Sequence, residues 1–190
     1  RMNEFLEDLF NIKGKEDIIN NLNFSKKNLY QLTIDENIDS LCTNLGICDE
    51  KKNYLDVVPN YIIGSNEEIR AYIRGAFLAN GSINDPKTSR YHMEILVLYP
   101  EEAVFIQKLL NLFDLNAKIL SRDKGFMIYI KEAEKISDFL KIIGANNAVL
   151  YYENVRIYRD KMNIANRLNN CEQANMDKIF ETASAQLKQI

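Results

Sequence analysis

Apolar side chains recur along this chain at two different periods, and the switches between them mark its elements. Within residues 1–10, Phe5, Leu6, Leu9 and Phe10 fall on one side of a helix. Residues 29–34 read as a strand. Residues 38–46 predict a short helix with Ile38, Leu41 and Leu45 inward and Gly46 as its C-terminal cap. The stretch 49–59 is polar and irregular, the best place for a linker. The strongest helix spans residues 66–80, where Ile69, Tyr72, Ile73, Ala76 and Phe77 make the stripe of an amphipathic helix. Beside it runs a row of small side chains, Ala71, Gly75 and Ala79, of the kind that lets another backbone approach closely. Gly81 ends the helix.

Asp85-Pro86 predicts a turn. Residues 91–99 form the clearest strand, stopped by Pro100, which also suits the first turn of a helix reaching to about Phe113 with Glu101 and Glu102 at its positive end. Two strands follow, 117–122 and 126–131, joined by a tight turn at Asp123-Lys124-Gly125. Residues 136–143 read as a helix capped by Gly144, and 154–190 as mostly helical. Two stretches look alike. Ile38, Leu41, Leu45 and Gly46 match Ile136, Phe139, Ile143 and Gly144 at one fixed offset of 98 residues, each set following a strand and a short turn. Residues 67–144 thus read helix–strand–strand–helix–strand–strand–helix, and the N-terminal part holds only the second half of such a unit.

Composition narrows the chemistry. With 24 basic and 27 acidic residues the net charge is −3, so no single-sign field marks a free-standing nucleic-acid module. No apolar run approaches the roughly 18 residues of a membrane span, and no signal-peptide pattern is present. Cys42, Cys48 and Cys171 are an odd number without a CxxC, which favours neither a disulfide framework nor a zinc site and fits a reducing cytoplasm. His92 is the single histidine. The 23 asparagines, beside abundant Ile and Lys, are what an AT-rich genome produces, so an isolated Asn says little. The chain opens with Arg1 ahead of Met2, inside the first helix and uncapped, as a fragment would.

The helix ending in Ile73-Arg74-Gly75-Ala76-Phe77-Leu78-Ala79-Asn80-Gly81 resembles the defining helix of LAGLIDADG homing endonucleases, and αββαββα is that family's unit. The resemblance implies two such helices packed at a pseudo-twofold axis, each ending in an acid one residue before its final Gly. The two acids hold the metal ions that activate water. The matching position here is Asn80, a neutral amide that cannot hold Mg²⁺, and Asp85 lies beyond the helix end. A closer resemblance is to the WhiA family of bacterial regulators. It is carried by the string from Tyr72 through Asp85-Pro86, by Tyr91-His92-Met93-Glu94, by Tyr129-Ile130-Lys131-Glu132-Ala133-Glu134, by Ile143-Gly144-Ala145, and by the run from Asn166 to Asn175 with Lys178 and Gln186. It covers the chain from about Tyr72 to Ile190 well and the first sixty residues poorly.

That resemblance implies an α+β, LAGLIDADG-like fold in degenerate two-repeat form with the first repeat incomplete. The expected domains are residues 1–60, a partial first repeat; 61–153, the second repeat; and 154–190, a helical segment leading to a helix-turn-helix domain for which the chain is too short. It also implies transcription control tied to sporulation or cell division, no catalysis, no cofactor and no metal. The expected partner is DNA, contacted mainly through the absent helix-turn-helix domain. Protein partners and a homodimer of this fragment are further expectations, with no membrane contact and a cytoplasmic, nucleoid-associated location. The alternatives are a protein-interaction module without DNA contact and an active homing endonuclease.

Candidate contact residues follow. Arg156, Arg159, Asn163, Asn166, Arg167, Asn169 and Asn170, with Lys161, suit contact with DNA or with the missing C-terminal domain. Asn is a poor helix former, about 0.6 kcal/mol worse than Ala, so several in one helix call for a purpose unless codon drift supplied them. Residues 151–190 carry six basic and five acidic side chains, a weak field for phosphate. Lys118, Arg122 and Lys124 on the last hairpin are weaker candidates for a DNA-facing sheet, as are Lys13, Lys15, Lys26 and Lys27 in the first half. Residues 61–150 carry 11 basic and 11 acidic side chains, which equally describes a solvated mixed-charge surface. His92 and Glu94 share a strand face without a third ligand or nucleophile. Tyr91, Tyr99, Tyr129, Tyr151, Tyr152 and Tyr158 either stack on bases or pack locally.

Overall fold

The computed structural model describes residues 2–19, 29–55, 57–88 and 90–188. The chain divides into two compact units, residues 1–65 and 66–190. The first runs α1 (Met2–Phe10), β1 (Lys15–Ile19), β2 (Leu29–Thr33) and α2 (Ile38–Asn44). β1 and β2 pair antiparallel, from Lys15 opposite Thr33 to Ile19 opposite Leu29. Leu6, Ile12 and Leu41 form a small core with Phe10, Leu32 and Ile34 against it. The Asn3 amide clasps the chain as it enters β1, donating to the Gly14 carbonyl (3.0 Å) and accepting from the Gly14 amide (2.8 Å).

Ile38 and Leu45, expected inward, are exposed, and Leu41 alone of that helix is buried. The reason is geometric, since two strands offer too little surface to cover a helix face a full three residues wide. The polar stretch after α2 is a hydrogen-bonded loop more than a linker. Asp49 accepts from the Lys51 and Asn53 amides, Leu55 N–H donates to Ile47 C=O, and Cys48 bridges to Tyr54.

The second unit runs α3 (Asn66–Asn80), β3 (Gly81–Ile83), β4 (Met93–Val97), α4 (Pro100–Asn111), β5 (Lys118–Arg122), β6 (Gly125–Ile130), α5 (Ala133–Ile142) and α6 (Asn146–Leu187). Its sheet is antiparallel in the order β3-β4-β6-β5. The αββαββα order matches the sequence reading, but that reading gave no residue range for β3, which has three residues, and no strand at β1, which is exposed at every position and carries no alternation. One sheet face is apolar: Met93, Ile95 and Val97 with Ile128 and Ile130 are buried, together with Ile73, Ile106, Leu110, Leu115, Ile136 and Phe139 from the helices and loops. Phe77 and Phe139 meet edge to face at 5.1 Å. Burying such a ring is worth about 1.5–3 kcal/mol before packing is counted.

The two stretches that look alike in sequence share their caps. Gly46 and Gly144 end α2 and α5 with φ of 65° and 74°, a left-handed conformation that side chains resist. The clasp recurs as well: Gln107 donates to the Ala117 carbonyl (2.9 Å) and Asn111 accepts from the Ala117 amide (2.7 Å) just before β5.

α6 begins earlier than expected and runs unbroken for 42 residues, about 63 Å at 1.5 Å per residue. Its first turns pack on α5, with Tyr152 and Val155 buried, and residues 160–188 are exposed throughout. No helix among the described residues is long and apolar enough to cross a membrane.

Candidate nucleic-acid interface

Strand alternation turns one set of side chains in the second unit away from the core. The register aligns Ser82, Glu94, Tyr129 and Lys118 in one row across the sheet, and Leu96, Met127 and Leu120 in the next. On this face Lys118 and Arg122 are exposed, as are Leu96 at 42% and Leu120 at 48%, while Met127 is buried. Lys118 and Arg122 share it, and Lys124 sits in the turn that joins β5 to β6, so the fold gathers all three at one sheet edge. Arg122 also reaches Met127 Sδ (2.9 Å) and lies 3.9 Å from Glu94. Three of the first-half lysines are accounted for differently: Lys15 pairs with Asp35 at 3.1 Å, and Lys26 and Lys27 lie outside the described residues.

Glu94 is the centre of the face. It bonds His92 Nε2 (3.0 Å) and accepts from Ser82 Oγ (3.2 Å). The His92 bond, more than the opposing desolvation, holds its carboxyl below the usual glutamate range. The His92 ring stacks on Tyr129 with centroids 6.1 Å apart, and Lys131 Nζ lies 4.8 Å from the same Tyr129 ring. His92 is thus occupied by a carboxylate and a ring, and no three His, Cys, Asp or Glu side chains converge among the described residues in a way that would hold a metal ion.

Asn80 ends α3 in an exposed position. Asp85 is committed elsewhere. Its carboxylate accepts from the Lys87 amide (2.9 Å) and the Tyr151 hydroxyl (2.9 Å), bonds that lower its pKa, the Lys87 amide most. It fixes the turn and docks α6 on it. Ala71, Gly75 and Ala79 do line one side of α3, but all three are exposed, and a Cβ built on Gly75 meets no atom within 4 Å. The close helix contact expected for that row is therefore not made by the described residues, because the apolar stripe on the opposite side of α3 is what binds the sheet.

The α6 candidates separate into two groups. Arg156 binds Glu153 (2.8 Å) and Glu134 (3.3 Å), tying α6 to α5. Arg159 donates to the Pro86 carbonyl (2.6 Å) and covers the Tyr91 ring at 5.1 Å. Both make contacts inside the unit: they lie on the turns of α6 that pack, where a long side chain finds a partner. Lys161, Asn163, Asn166, Arg167, Asn169 and Asn170 lie on the exposed length of the helix. Sequence reasoning missed Ser137, a buried hydroxyl that donates to Glu153 at the root of α6. A serine among Ile136, Phe139 and Leu140 was its available signal. Tyr91 and Tyr152 pack with centroids 5.7 Å apart, and burial pushes the Tyr152 phenol up. Tyr151 bonds Asp85, while Tyr99 and Tyr158 are exposed.

Comparison with known proteins bears on these features together. Residues 69–162 match the family model described as the WhiA LAGLIDADG-like domain. A probable cell division protein WhiA of Lactiplantibacillus plantarum is 40% identical over all 190 residues, covering 100% of this chain and 61% of its own length. The relative of the same name from Enterococcus faecalis is 42% identical, with the same coverages. The chain thus spans about three fifths of the length of these relatives. The solved full-length DUF199/WhiA from Thermatoga maritima aligns over 81% of this chain and 47% of its own, at 22% identity and a TM-score of 0.59, a likeness of fold. The solved N-terminal LAGLIDADG domain of DUF199/WhiA aligns over 73% of this chain and 62% of its own, at 21% identity and a TM-score of 0.51. With the αββαββα unit and the Gly144 cap in the matched region, this chain belongs to the WhiA family and carries its LAGLIDADG-like fold.

Proposed function

We propose that this chain is the non-catalytic scaffold of a DNA-binding regulator that acts in cell division, as the relatives' names suggest, or in sporulation. The observation that carries the reading is Asn80. A neutral amide ends α3 where a homing endonuclease needs a carboxylate, and the nearest acid in sequence, Asp85, is spent on a turn and on Tyr151. The open sheet face, with Lys118, Arg122 and Lys124 at one edge, supplies weak backbone contact, and Arg167 with its asparagines lies on the exposed helix that leads toward the rest of the protein.

The test is DNA affinity across a range of salt concentrations, for the full-length protein and for this chain. The full-length protein binds with a steep salt slope and this chain binds weakly with a shallow one. Arg167→Ala in the full-length protein lowers the slope by about one unit if it meets a phosphate. If it holds a domain junction instead, linker proteolysis rises. Duplex nicking that requires Mg²⁺ or Mn²⁺ and vanishes on Asn80→Ala would overturn the non-catalytic reading.

A second reading, a protein-interaction module, is favoured by the exposed apolar side chains Ile164, Leu168, Ile179 and Phe180 on α6. Sedimentation of the wild type against Leu168→Glu separates it, because self-association through that helix is lost in the variant.

A further inference from the structure

A recess of about 970 Å³ opens in the second unit where the β3–β4 connection, the end of β6 and α6 meet. Its wall includes Lys87, Arg90, His92, Lys131 and Arg159, with Tyr91 among them, and none of the residues lining it is acidic. Residues 61–150 balance 11 basic against 11 acidic side chains, so this is a local excess of positive charge drawn from separate segments.

How these cations are held matters more than their number. Lys131 Nζ lies 4.8 Å from the Tyr129 ring centroid, Lys87 Nζ 5.1 Å from that of Tyr151, and the Arg159 guanidinium 5.1 Å from that of Tyr91. Arg159 also donates to the Pro86 carbonyl. For Lys131 and Lys87 the ring face orients the cation without neutralising it. Among the described residues Lys87, Arg90 and Lys131 make no salt bridge. The acids nearby are engaged mainly by other groups: Glu94 by His92, Ser82 and Arg122, and Asp85 by the Lys87 amide and Tyr151, with the Lys87 ammonium adding a weaker attraction at Asp85. Tyr91 adds a hydroxyl that is buried without a hydrogen-bond partner among the described residues. The volume is that of a small-ligand site, whereas a duplex backbone needs an extended surface.

We propose that this recess binds a small phosphate-bearing anion, a di- or triphosphate, with Lys87, Arg90 and Lys131 as its charged contacts and Arg159 in its wall. The site stands apart from DNA binding and from the fate of Asn80. Because Arg159 also ties α6 to the Pro86 carbonyl, occupancy is read out by the first turns of α6.

The experiment is calorimetric titration of this chain with pyrophosphate, with ATP and with a short DNA duplex, each without divalent metal. Hydrogen exchange of α6 is followed alongside. Pyrophosphate and ATP bind, the first turns of α6 change in protection, and Lys87→Glu with Lys131→Glu weakens both ligands by about tenfold or more, since each charge-assisted contact becomes a repulsion. Both lysines are exposed, so the double variant keeps its fold, and Lys108→Ala on α4, outside the recess, binds as wild type. Failure of both pyrophosphate and ATP to bind overturns the proposal, as does binding that the double variant leaves unchanged. Duplex binding lost in the double variant, without pyrophosphate or ATP binding, also overturns it, since the recess would then serve backbone phosphate alone.

Discussion

The two units hold the same α-β-β-α sequence of elements, and they differ in what surrounds it. In the second unit α4, β5, β6 and α5 are completed by α3, β3 and β4, so that Ile136, Phe139 and Ile143 are all buried on α5. In the first unit the corresponding helix α2 buries Leu41 and leaves Ile38 at 48% and Leu45 at 43% exposure. The pattern of apolar positions is the same in both. A repeated sequence pattern therefore specifies a helix and its inward face, while the number of strands available decides how much of that face is buried. A two-stranded sheet is marginal on its own.

The largest test compares equivalent positions. Phe139→Ala costs about 3–5 kcal/mol, since a fully buried ring leaves a cavity beside Phe77. Ile136→Ala costs about 2–5 kcal/mol for the same reason, and Ile38→Ala well under 1 kcal/mol, the usual range for a surface site. Denaturant unfolding measures all three. Equal losses at Ile38 and Ile136 would mean that α2 is covered after all.

The root of α6 gives a smaller effect. Ser137→Ala removes a buried donor to Glu153, and the lost bond to a charged group is worth about 1.5–3 kcal/mol. The Ser137 hydroxyl is the largest influence holding the Glu153 carboxyl below its usual value, and Arg156 adds to it, while His92 does the same for Glu94. A carboxylate with a depressed folded-state pKa gives stability that is present above the usual glutamate range. That stability is lost as pH falls through the lowered folded value. Wild type therefore loses stability as the medium is acidified below about pH 4.3, the unperturbed glutamate value. Glu94→Gln with Glu153→Gln flattens that limb in thermal melts taken across the acid range. An unchanged acid limb would show that neither pairing persists in solution.

These contrasts also show what the chain made legible. The αββαββα order, the α3 stripe, the Pro100 helix start and the glycine caps were readable because period, fixed φ and positive φ leave local marks. β1 was not, since Lys15-Glu16-Asp17-Ile18-Ile19 lacks alternation and is strand only through its partner β2. Nor was the exposure of Ile38 and Leu45, which depends on tertiary coverage that a 3.6-residue period cannot report. At the sheet face, Lys118, Arg122 and Lys124 were readable as a cluster because hairpin register is local. The inward commitment of Arg156 and Arg159 was not, because their partners Glu134 and Pro86 lie far away in sequence. The same distance hid the cationic recess, whose residues run from Lys87 to Arg159.

The smallest expected effect is at Gly75, and its sign is what matters. Within a helix interior Gly costs about 1 kcal/mol relative to Ala. A Cβ at Gly75 meets nothing within 4 Å, so Gly75→Ala in this chain raises stability by up to about that amount. Gly75→Leu is tolerated for the same reason, where a row packed tightly on another helix would lose about 1–3 kcal/mol to overpacking. Thermal melts of this chain and of the full-length protein, each with both substitutions, place the row. Stabilisation by Ala in this chain with destabilisation by Leu in the full-length protein means that a segment outside this chain packs on Ala71, Gly75 and Ala79. Destabilisation by Leu already in this chain, growing with protein concentration, means that a second copy does. If both substitutions are harmless in both proteins, α3 presents its small residues to solvent, and the row has no packing role.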